Sequence, residues 1–325
     1  MFISEPTLDD LMHKVLTELI NRPCNLISSR SSKLGPTSEM LGVMLHLQNP
    51  RYRLSRDEAK GTVFSALGEL LWYLSKKNEL EFITYYIKAY ENESDDMKTV
   101  YGGYGPRIFN FRGKLNQIEN VINLLTKKAT SRKAVIQLFD AEDLAETHKE
   151  IPCTCTLQFF IREDRLHMFT SMRSNDAYRG LPHDIFAFTM IQEIMARSLN
   201  IEIGEYHHAV GSLHLYEKDK NKAEEYINAG FQPTTFPMPE MPVGQPWEAI
   251  QILLDIEYDL RNGRPIDIPL QERLTPYWAD FARLLQAYSI FKKNKLKEDN
   301  INQLNAIKKS LSADVYKTYI TKRKK

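Results

Sequence analysis

The sequence feature that most constrains the fold is a run of strand-like segments between residues 133 and 217. Apolar and polar side chains alternate in KAVIQLF, CTLQFFIR, LHMFTSM and EYHHAVGSLHLY, which is the pattern of strands with one buried face. A short polar turn, EDR, joins the second segment to the third, and a helical run, DIFAFTMIQEIMARSL, separates the last two. We therefore predict an α+β fold in which these segments share one sheet.

The residues before this region predict a helix, a basic loop and a second helix. Residues 7–22 have apolar side chains at helical spacing, and a capping pattern of Thr7 and Asp10 opens them. Residues 27–40, ISSRSSKLGPTSEM, are rich in Ser, Gly and Pro, so we expect a loop that carries Arg30. The second helix is predicted over residues 56–77.

The apolar stretch GELLWYLS in this second helix contains one acidic residue, Glu69. A carboxylate among apolar residues is costly to bury unless it serves a ligand. The alternative is that Glu69 lies exposed at the edge of the apolar stripe. The pattern is equally compatible with both positions.

The region after residue 230 differs in composition from the strands before it. A Pro-rich stretch, QPTTFPMPEMPVGQP, marks a boundary, and three helical segments follow, beginning near Trp247, Thr275 and Glu298. The chain closes on the basic residues TKRKK. We expect residues 1–230 to form the main domain and residues 231–325 to form a helical region packed on it.

Composition excludes several classes of function. In 325 residues, 43 Lys and Arg balance 42 Asp and Glu, so no bulk charge draws the chain to nucleic acid or to an anionic membrane. No apolar run approaches the roughly 20 residues needed to span a bilayer. The start, MFISEPTLDDLMHK, lacks a basic leader, and a total of three cysteines suits a reducing compartment. We expect a cytoplasmic protein that binds any anion locally.

The segment RSNDAYRGLPHDI places four polar side chains around a Gly-Leu-Pro turn between a strand and a helix. Arg173 could hold a phosphate with two hydrogen bonds, and Ser174 could add a hydroxyl donor. Asp176 and Asp184 flank the turn, although a carboxylate at the start of a helix also serves as a cap. This turn is a candidate ligand site, with capping as the alternative for Asp184.

The cysteines and histidines of the chain raise two further possibilities, a reactive thiol and a metal site. Cys153 follows a proline at the mouth of a predicted strand, where a thiol is either reachable or simply packed. His207, His208 and His214, taken with Cys153 and Cys155, lack the paired ligand spacing of a zinc site. We therefore predict no bound metal.

Taken together, the order and spacing of these motifs resemble those of the thymidylate synthase and deoxycytidylate hydroxymethylase family. PCTCTLQF resembles the segment around the family's nucleophile, and its glutamine makes Cys153, rather than Cys155, the counterpart. The resemblance extends roughly over residues 25–217. The other matching segments are RSNDAYRGLP, ELLWYL, the pair Tyr104 and Gly105, and the strand with His214 and Tyr216.

The resemblance implies a role for each matching residue around a nucleotide and a folate. Arg30, Arg173 and Ser174 would bind the phosphate, and His214 and Tyr216 would hold a sugar hydroxyl. Asp176 would face the pterin of the folate. Glu69 would organise water and proton transfer, and Tyr104 would assist the proton steps at C5 of the base.

The family also implies a homodimer, in which the mixed sheets of two subunits pack together. SRK at residues 131–133 resembles a double-arginine element that reaches the partner's phosphate site. Arg132 and Lys133 would therefore act in trans. The implied one-carbon donor is 5,10-methylenetetrahydrofolate.

The implied chemistry begins with a thiolate. C5 of a pyrimidine is a poor nucleophile until a thiolate adds to C6, and Cys153 would supply that thiolate. A nearby arginine would favour the ionised thiol, and the ring needs stabilisation as charge develops on it.

Three departures from the synthase pattern bear on substrate and product. Asp184 stands where synthases have an asparagine that reads uracil; an ionised carboxylate only accepts hydrogen bonds, so we expect it to select the 4-amino group of cytosine. Tyr90 falls near the place of a synthase tryptophan and could admit water, and Thr154 replaces a histidine. These features favour a (deoxy)cytidylate 5-hydroxymethyltransferase.

Two alternatives stay open at this point. The first is a thymidylate synthase acting on dUMP, which Asp184 disfavours. The second is a nucleotide-binding module that has lost catalysis, which would not need to retain Cys153, Glu69 and Tyr104. The sequence does not distinguish ribose from deoxyribose, although Lys133 in place of a second arginine loosens the expected phosphate contact.

Overall fold

The computed structural model describes residues 1–22, 35–55, 62–229, 237–266, 269–293 and 298–321. The strands in these residues are β1 Phe2–Glu5, β2 Thr37–Leu47, β3 Val135–Gln137, β4 Thr154–Arg162, β5 Arg165–Asp176 and β6 Glu202–Tyr216. The helices are α1 Leu8–Ile20, α2 Thr62–Leu74, α3 Leu80–Tyr86, α4 Tyr104–Phe109, α5 Gln117–Lys127, α6 Leu181–Ser198, α7 Lys220–Asn228, α8 Trp247–Arg261, α9 Leu270–Arg273, α10 Pro276–Phe291, α11 Glu298–Ser310 and α12 Lys317–Thr321. None of these helices meets the length and hydropathy needed to cross a membrane.

The strands of the described residues form one mixed sheet in the order β1-β2-β6-β5-β4-β3. β1 pairs with β2, and β5 with β6, in parallel, whereas the other neighbours are antiparallel. Glu163 and Asp164 form the β4–β5 turn with positive φ values of 51° and 53°, the conformation that a two-residue hairpin turn requires. The predicted α+β class, with the four predicted strands in one sheet, is confirmed.

Strand β2 was not predicted, and the loop expected over residues 27–40 is wrong at its end because β2 begins at Thr37. Residues 27–34 of that loop, including Arg30, lie outside the described residues. β2 pairs with β6 from Thr37 opposite Tyr216 to Leu47 opposite Tyr206. Its Met and Leu side chains give no local β signal, so the pairing depends on a partner far along the chain.

Helix α1 follows its predicted capping pattern. Thr7 Oγ1 accepts a hydrogen bond from the Asp10 N–H at 3.1 Å and donates to the Asp10 carboxylate at 2.6 Å. This arrangement satisfies one of the free N–H groups at the start of the helix. Leu8, Leu11 and Val15 are then fully buried against the core.

Three of the five helices in the described residues after 246 begin where the sequence predicts, at Trp247, after the cap Thr275, and at Glu298, whereas the short helices α9 and α12 were not predicted. Their apolar side chains belong to the same contiguous buried cluster as the sheet and α2. Tyr288 of α10 stacks on Phe64 of α2 with ring centroids 5.7 Å apart. The boundary at residue 230 stays a prediction, because residues 230–236 lie outside the described part of the chain.

A buried ion pair holds the segment after β2 against α6. Arg53 and Glu193 are 0% and 1% exposed, and Arg53 Nη2 donates to the Glu193 carboxylate. Arg51 Nε and the Met241 N–H donate to the same carboxylate at 3.0 and 3.1 Å. Burial alone would raise the pKa of Glu193, but the two guanidinium groups lower it, so the carboxylate stays charged.

We predict that Glu193→Gln lowers the free energy of unfolding by about 3 to 5 kcal/mol, because it leaves the buried Arg53 charge without its partner. Glu202, whose side chain is 52% exposed and pairs with Arg51 and Arg197, is the matched control. Glu202→Gln should cost about 1 kcal/mol or less. Urea denaturation of the three proteins measures both values, and equal losses would contradict the burial argument.

Candidate active site

A cleft of about 560 Å³ opens where α2, α4, the segment before β4, the end of β5 and the start of α6 meet. It brings together six of the residues that the sequence singled out, from parts of the chain far apart in sequence. These are Glu69, Tyr104, Cys153, Ser174, Asp176 and Asp184. The cleft is therefore the candidate active site.

Arg173 ties the thiol of Cys153 to its surrounding segment. Arg173 Nη2 lies 3.6 Å from Cys153 Sγ and donates to the carbonyl oxygen of Ile151 at 2.9 Å. Its Nε donates to the carbonyl of Pro152 at 2.9 Å. The guanidinium thus lies beside the thiol that lines the cleft, and its role as a phosphate ligand stays a prediction.

The thiol of Cys153 is protonated in this state of the cleft. Burial raises its pKa to about 12, more than the Arg173 charge beside it lowers the value. Addition to a base therefore requires loss of a proton from sulfur. Cys155 is half-buried and does not appear among the residues that line the described cleft.

Glu69 lies inside the cleft rather than at an exposed edge of α2. The residue is 6% exposed, and Tyr90 donates its hydroxyl proton to Glu69 Oε1 over 2.6 Å. The Tyr90 ring packs edge-on against Trp72 with centroids 5.3 Å apart. Of the two positions that the sequence left open, the structure has the buried one.

Tyr104 is fixed at the start of α4 by contacts with β4. Its hydroxyl lies 2.9 Å from Thr154 Oγ1 and accepts from the Thr154 N–H at 3.2 Å. Burial raises the pKa of Tyr104 well above its usual value, so the phenol keeps its proton. Gly105 is required beside it, because a Cβ there would lie 2.4 Å from the carbonyl oxygen of Lys77.

Asp176 shapes the turn that leads into α6. Its Oδ1 accepts from the N–H groups of Tyr178 and Arg179 at 2.8 and 2.9 Å. Asp176 lies opposite His214 in the parallel β5–β6 register, and the His214 ring meets Tyr216 edge-on at 5.0 Å. The pair expected to bind a sugar hydroxyl therefore adjoins the carboxylate expected to face the pterin.

Three expected phosphate ligands are not found in the cleft. Arg132 and Lys133 are exposed in the segment before β3, and their proposed action on a partner subunit stays a prediction. Arg30 lies outside the described residues. Of the expected phosphate ligands in the described residues, Ser174 lines the cleft, and Arg173 contacts the thiol of Cys153 beside it.

The carboxyl group of Asp184 lies in a poorly solvated part of the cleft. Loss of surrounding water, and then the negative charge of Glu69, raise its pKa well above the usual range. A side-chain hydrogen bond with Asn175 acts in the opposite direction and favours the ionised form. The expected ionised carboxylate, able only to accept hydrogen bonds, stays a prediction.

The structure separates the three histidines considered as metal ligands. His208 is fully buried, with its pKa lowered by burial to about 3, whereas the His207 ring stacks on His46 at a centroid distance of 4.4 Å. Among the described residues, His46, Glu205 and His207 have ligand atoms within 4.8 Å of one another. The His46 and His207 ring planes differ by 6°. The absence of a bound metal stays a prediction.

Sequence reasoning missed two polar residues that line the cleft, and it considered His208 only as a metal ligand. Glu150 and Asn175 line the cleft, and His208 lies behind Asn175 at 3.0 Å. The available signals were weak: an acidic residue three positions before Cys153, and a polar residue at a core-facing position of β6. Burial and the nearby charge of Glu93 raise the pKa of Glu150 to about 8.

Comparison with known proteins gives relatives of one kind. A family model described as thymidylate synthase matches residues 49–259. A deoxyuridylate hydroxymethyltransferase of Delftia phage PhiW-14 is 26% identical over 224 residues, which cover 65% of this chain and 61% of the relative. A deoxyuridylate hydroxymethyltransferase of Pseudomonas phage M6 is 31% identical over 55% of this chain and 51% of the relative.

A third relative is a thymidylate synthase of Buchnera aphidicola subsp. Baizongia pistaciae. It is 28% identical over 49% of this chain and 62% of the relative. The matched segments thus span from about half to about three fifths of the lengths of these curated relatives.

We predict that Glu150→Gln changes how stability depends on pH. The folded protein holds the Glu150 proton to a higher pH than the unfolded chain, so this group lowers the free energy of unfolding as the pH rises from about 4.5 to about 8. Relative to wild type, Glu150→Gln should gain on the order of 1 kcal/mol or more between pH 5 and pH 9. Denaturation at both values measures the gain. The exposed Glu146, changed to Gln, should show none.

Proposed function

Because the chain belongs to the thymidylate synthase family, as its motifs predicted, we propose that it transfers a one-carbon unit to C5 of a pyrimidine nucleotide. The specific activity proposed is that of a (deoxy)cytidylate 5-hydroxymethyltransferase using 5,10-methylenetetrahydrofolate. The observation that carries the proposal is the convergence of Cys153, Glu69, Tyr104 and Asp184 on one cleft. Binding alone would not require a thiol at that position.

The reaction starts with Cys153, whose sulfur adds to C6 of the base and makes C5 nucleophilic. The proton must first leave the thiol, and Arg173 at 3.6 Å stabilises the thiolate that results. Methylenetetrahydrofolate supplies the carbon, and Asp176 is suited to hold its pterin because it lines the cleft with one oxygen already fixed by the turn. Tyr104, which keeps its proton, is placed to exchange protons near C5.

The choice of hydroxymethyl over methyl rests on Tyr90 and Glu69. Their 2.6 Å hydrogen bond puts a hydroxyl and a carboxylate side by side in the cleft, where they can hold a water molecule. That water would capture the exocyclic methylene on C5 to give a hydroxymethyl group. Two of the three relatives described above are hydroxymethyltransferases by name, which supports this outcome.

The choice of base depends on the proton of Asp184. A neutral carboxyl group has one donor and one acceptor, so it can pair with either base. With uracil, its O–H donates to O4 and its carbonyl oxygen accepts from N3–H. We favour cytosine because the hydrogen bond with Asn175 favours an ionised Asp184, which can only accept and therefore suits the 4-amino group of cytosine. The second candidate is the same chemistry on a uracil nucleotide, which the names of the relatives favour.

We also propose that the active form is a homodimer. Phe2, Leu41 and Val135 on strands of the sheet are 63%, 74% and 39% exposed, which suits a surface covered by a second copy. In that assembly Arg132 and Lys133 would complete the phosphate site of the partner subunit. Their exposure in the single chain agrees with such a role.

The direct test is to incubate the protein with 5,10-methylenetetrahydrofolate and each of CMP, dCMP, UMP and dUMP, and to identify products by mass. We expect 5-hydroxymethylated cytosine nucleotide. Cys153→Ser should abolish turnover and leave nucleotide binding intact, whereas Cys155→Ser should keep most of the activity. Methylated dUMP as the product, or loss of activity only in Cys155→Ser, would refute the assignment.

Mixed dimers test the role of Arg132. A Cys153→Ser chain combined with an Arg132→Ala chain should regain about one working site per heterodimer, because each chain supplies what the other lacks. Activity is measured after subunit exchange, which differently tagged chains reveal. Complete exchange without any return of activity would place Arg132 in cis or outside the site.

A further inference from the structure

Three residues of metal-ligand type meet on the face of the sheet that points away from the core. His46 of β2 lies directly opposite His207 of β6 in the antiparallel register, and Glu205 precedes His207 by two residues, on the same face of β6. The neighbouring Tyr206 and His208 are fully buried in the core, so the three residues face the other side. None of the three is among the described residues that line the cleft.

The distances within this cluster fit a small divalent cation. Glu205 Oε2 lies 3.3 Å from His46 Nε2 and 3.8 Å from His207 Nε2, and the ligand atoms of all three lie within 4.8 Å of one another. A tetrahedral zinc ion, with nitrogen and oxygen ligands at about 2.0 to 2.2 Å, holds those atoms about 3.4 Å apart. Two imidazoles and one carboxylate suit such a first-row transition cation better than Ca²⁺ or Mg²⁺, which prefer oxygen ligands.

The surroundings of His46 leave its Nε2 available to a metal. His46 Nδ1 lies 2.9 Å from Ser4 Oγ, which also accepts a hydrogen bond from Gln48 Nε2 at 3.1 Å. Nε2 is buried and, despite the nearby Glu205 oxygen, makes no hydrogen bond with the described residues. In the tautomer whose Nδ1 donates to Ser4, Nε2 has a lone pair, whereas the other tautomer would bury an N–H without an aligned acceptor. A second nitrogen held by an outer partner is the usual state of a metal-binding histidine.

The other two ligands combine a fixed backbone with side chains that can adjust. The Glu205 N–H donates to His167 Nδ1 at 3.2 Å, and the Glu205 side chain is 49% exposed. The His207 ring is stacked parallel to that of His46, so it must turn about its Cβ–Cγ bond for both lone pairs to point at one ion. That torsion has a broad minimum, and the His207 side chain is 33% exposed, which leaves room for the turn.

An ordinary ion pair explains this cluster less well than a metal does. Burial, and then the neighbouring His46, lower the pKa of His207, so its ring is uncharged at neutral pH and gains little from Glu205. An uncharged imidazole has the free lone pair that a metal ion requires.

We propose that His46, Glu205 and His207 form a binding site for a divalent transition-metal cation, best matched by Zn²⁺, that ties β2 to β6. Water completes the tetrahedron. The inference does not depend on the proposed function, because none of its ligands takes part in that reaction. Its confirmation would overturn the prediction of no bound metal, which considered His207 only with His208, His214 and the cysteines.

The space around the cluster suits this role. A cavity of about 1070 Å³, lined in part by His46, Glu205 and His167, gives the ion a route to its ligands. Phe2, on the surface that we propose a second copy covers, stacks on His46 with ring centroids 6.1 Å apart. Such an apolar wall lowers the local dielectric and strengthens the attraction between the cation and the carboxylate.

The first test is a calorimetric titration of the full chain with Zn²⁺ at neutral pH, after a chelator has removed any metal. We expect saturable binding of one Zn²⁺ per chain. His46→Phe and Glu205→Gln should each weaken it by at least about 100-fold, and Ser4→Ala by about 10-fold because Ser4 only orients a ligand. His148→Phe is the matched control: His148 also contacts a carboxylate, that of Asp95 at 2.9 Å, but belongs to no three-ligand group among the described residues. It should bind Zn²⁺ like wild type.

The second test uses only the wild-type protein, so it does not depend on any variant folding. Zn²⁺ should shift the nuclear magnetic resonance signals of the His46 and His207 ring protons and leave those of His148 in place. Absence of saturable binding overturns the proposal. Binding that His46→Phe and Glu205→Gln leave unchanged, or shifts confined to other histidines, would place the ion elsewhere and overturn it as well.

Discussion

The crowding of acidic groups in one poorly solvated cleft is the constraint on which the site depends. Glu69 and Asp184 share the cleft, and a second charge there would face both the first charge and the loss of water. Burial in the cleft raises the pKa of Asp184 well above its usual range, that of Glu150 to about 8 and that of the Cys153 thiol to about 12. The groups with raised pKa values thus lie where the proposed reaction must move protons.

The fold holds these groups in place through contacts that do not involve a ligand. Tyr104 is hydrogen-bonded to Thr154. Arg173 donates hydrogen bonds to the carbonyl oxygens of Ile151 and Pro152. Asp176 accepts a hydrogen bond from the turn that leads into α6. Further along α6, Glu193 accepts a hydrogen bond from Arg51. These side chains are already bonded, which suits the proposed function because prepositioned groups favour catalysis.

Much of this arrangement could be predicted from local sequence. The rest depends on contacts between residues that lie far apart in the sequence. The strands over residues 133–217 were predictable because one buried face imposes a period of two, whereas β2 was not, because only its pairing with β6 reveals it. The residue type at Asp184 was readable, but its pKa depends on burial in the cleft and then on Glu69, which folding brings to the same place. Likewise, Asn175 meets His208 only through the register of β5 against β6.

A covalent trap tests the central claim most directly, because it reports the nucleophile and the base together. A nucleotide with fluorine at C5 cannot lose a proton there, so the reaction stops while the base is still bonded to the thiol. With methylenetetrahydrofolate present, the account predicts an adduct of 5-fluoro-dCMP on the peptide that contains Cys153, located by proteolysis and mass spectrometry, and much less with 5-fluoro-dUMP. An adduct on Cys155, or one formed with the uracil analogue alone, would contradict it.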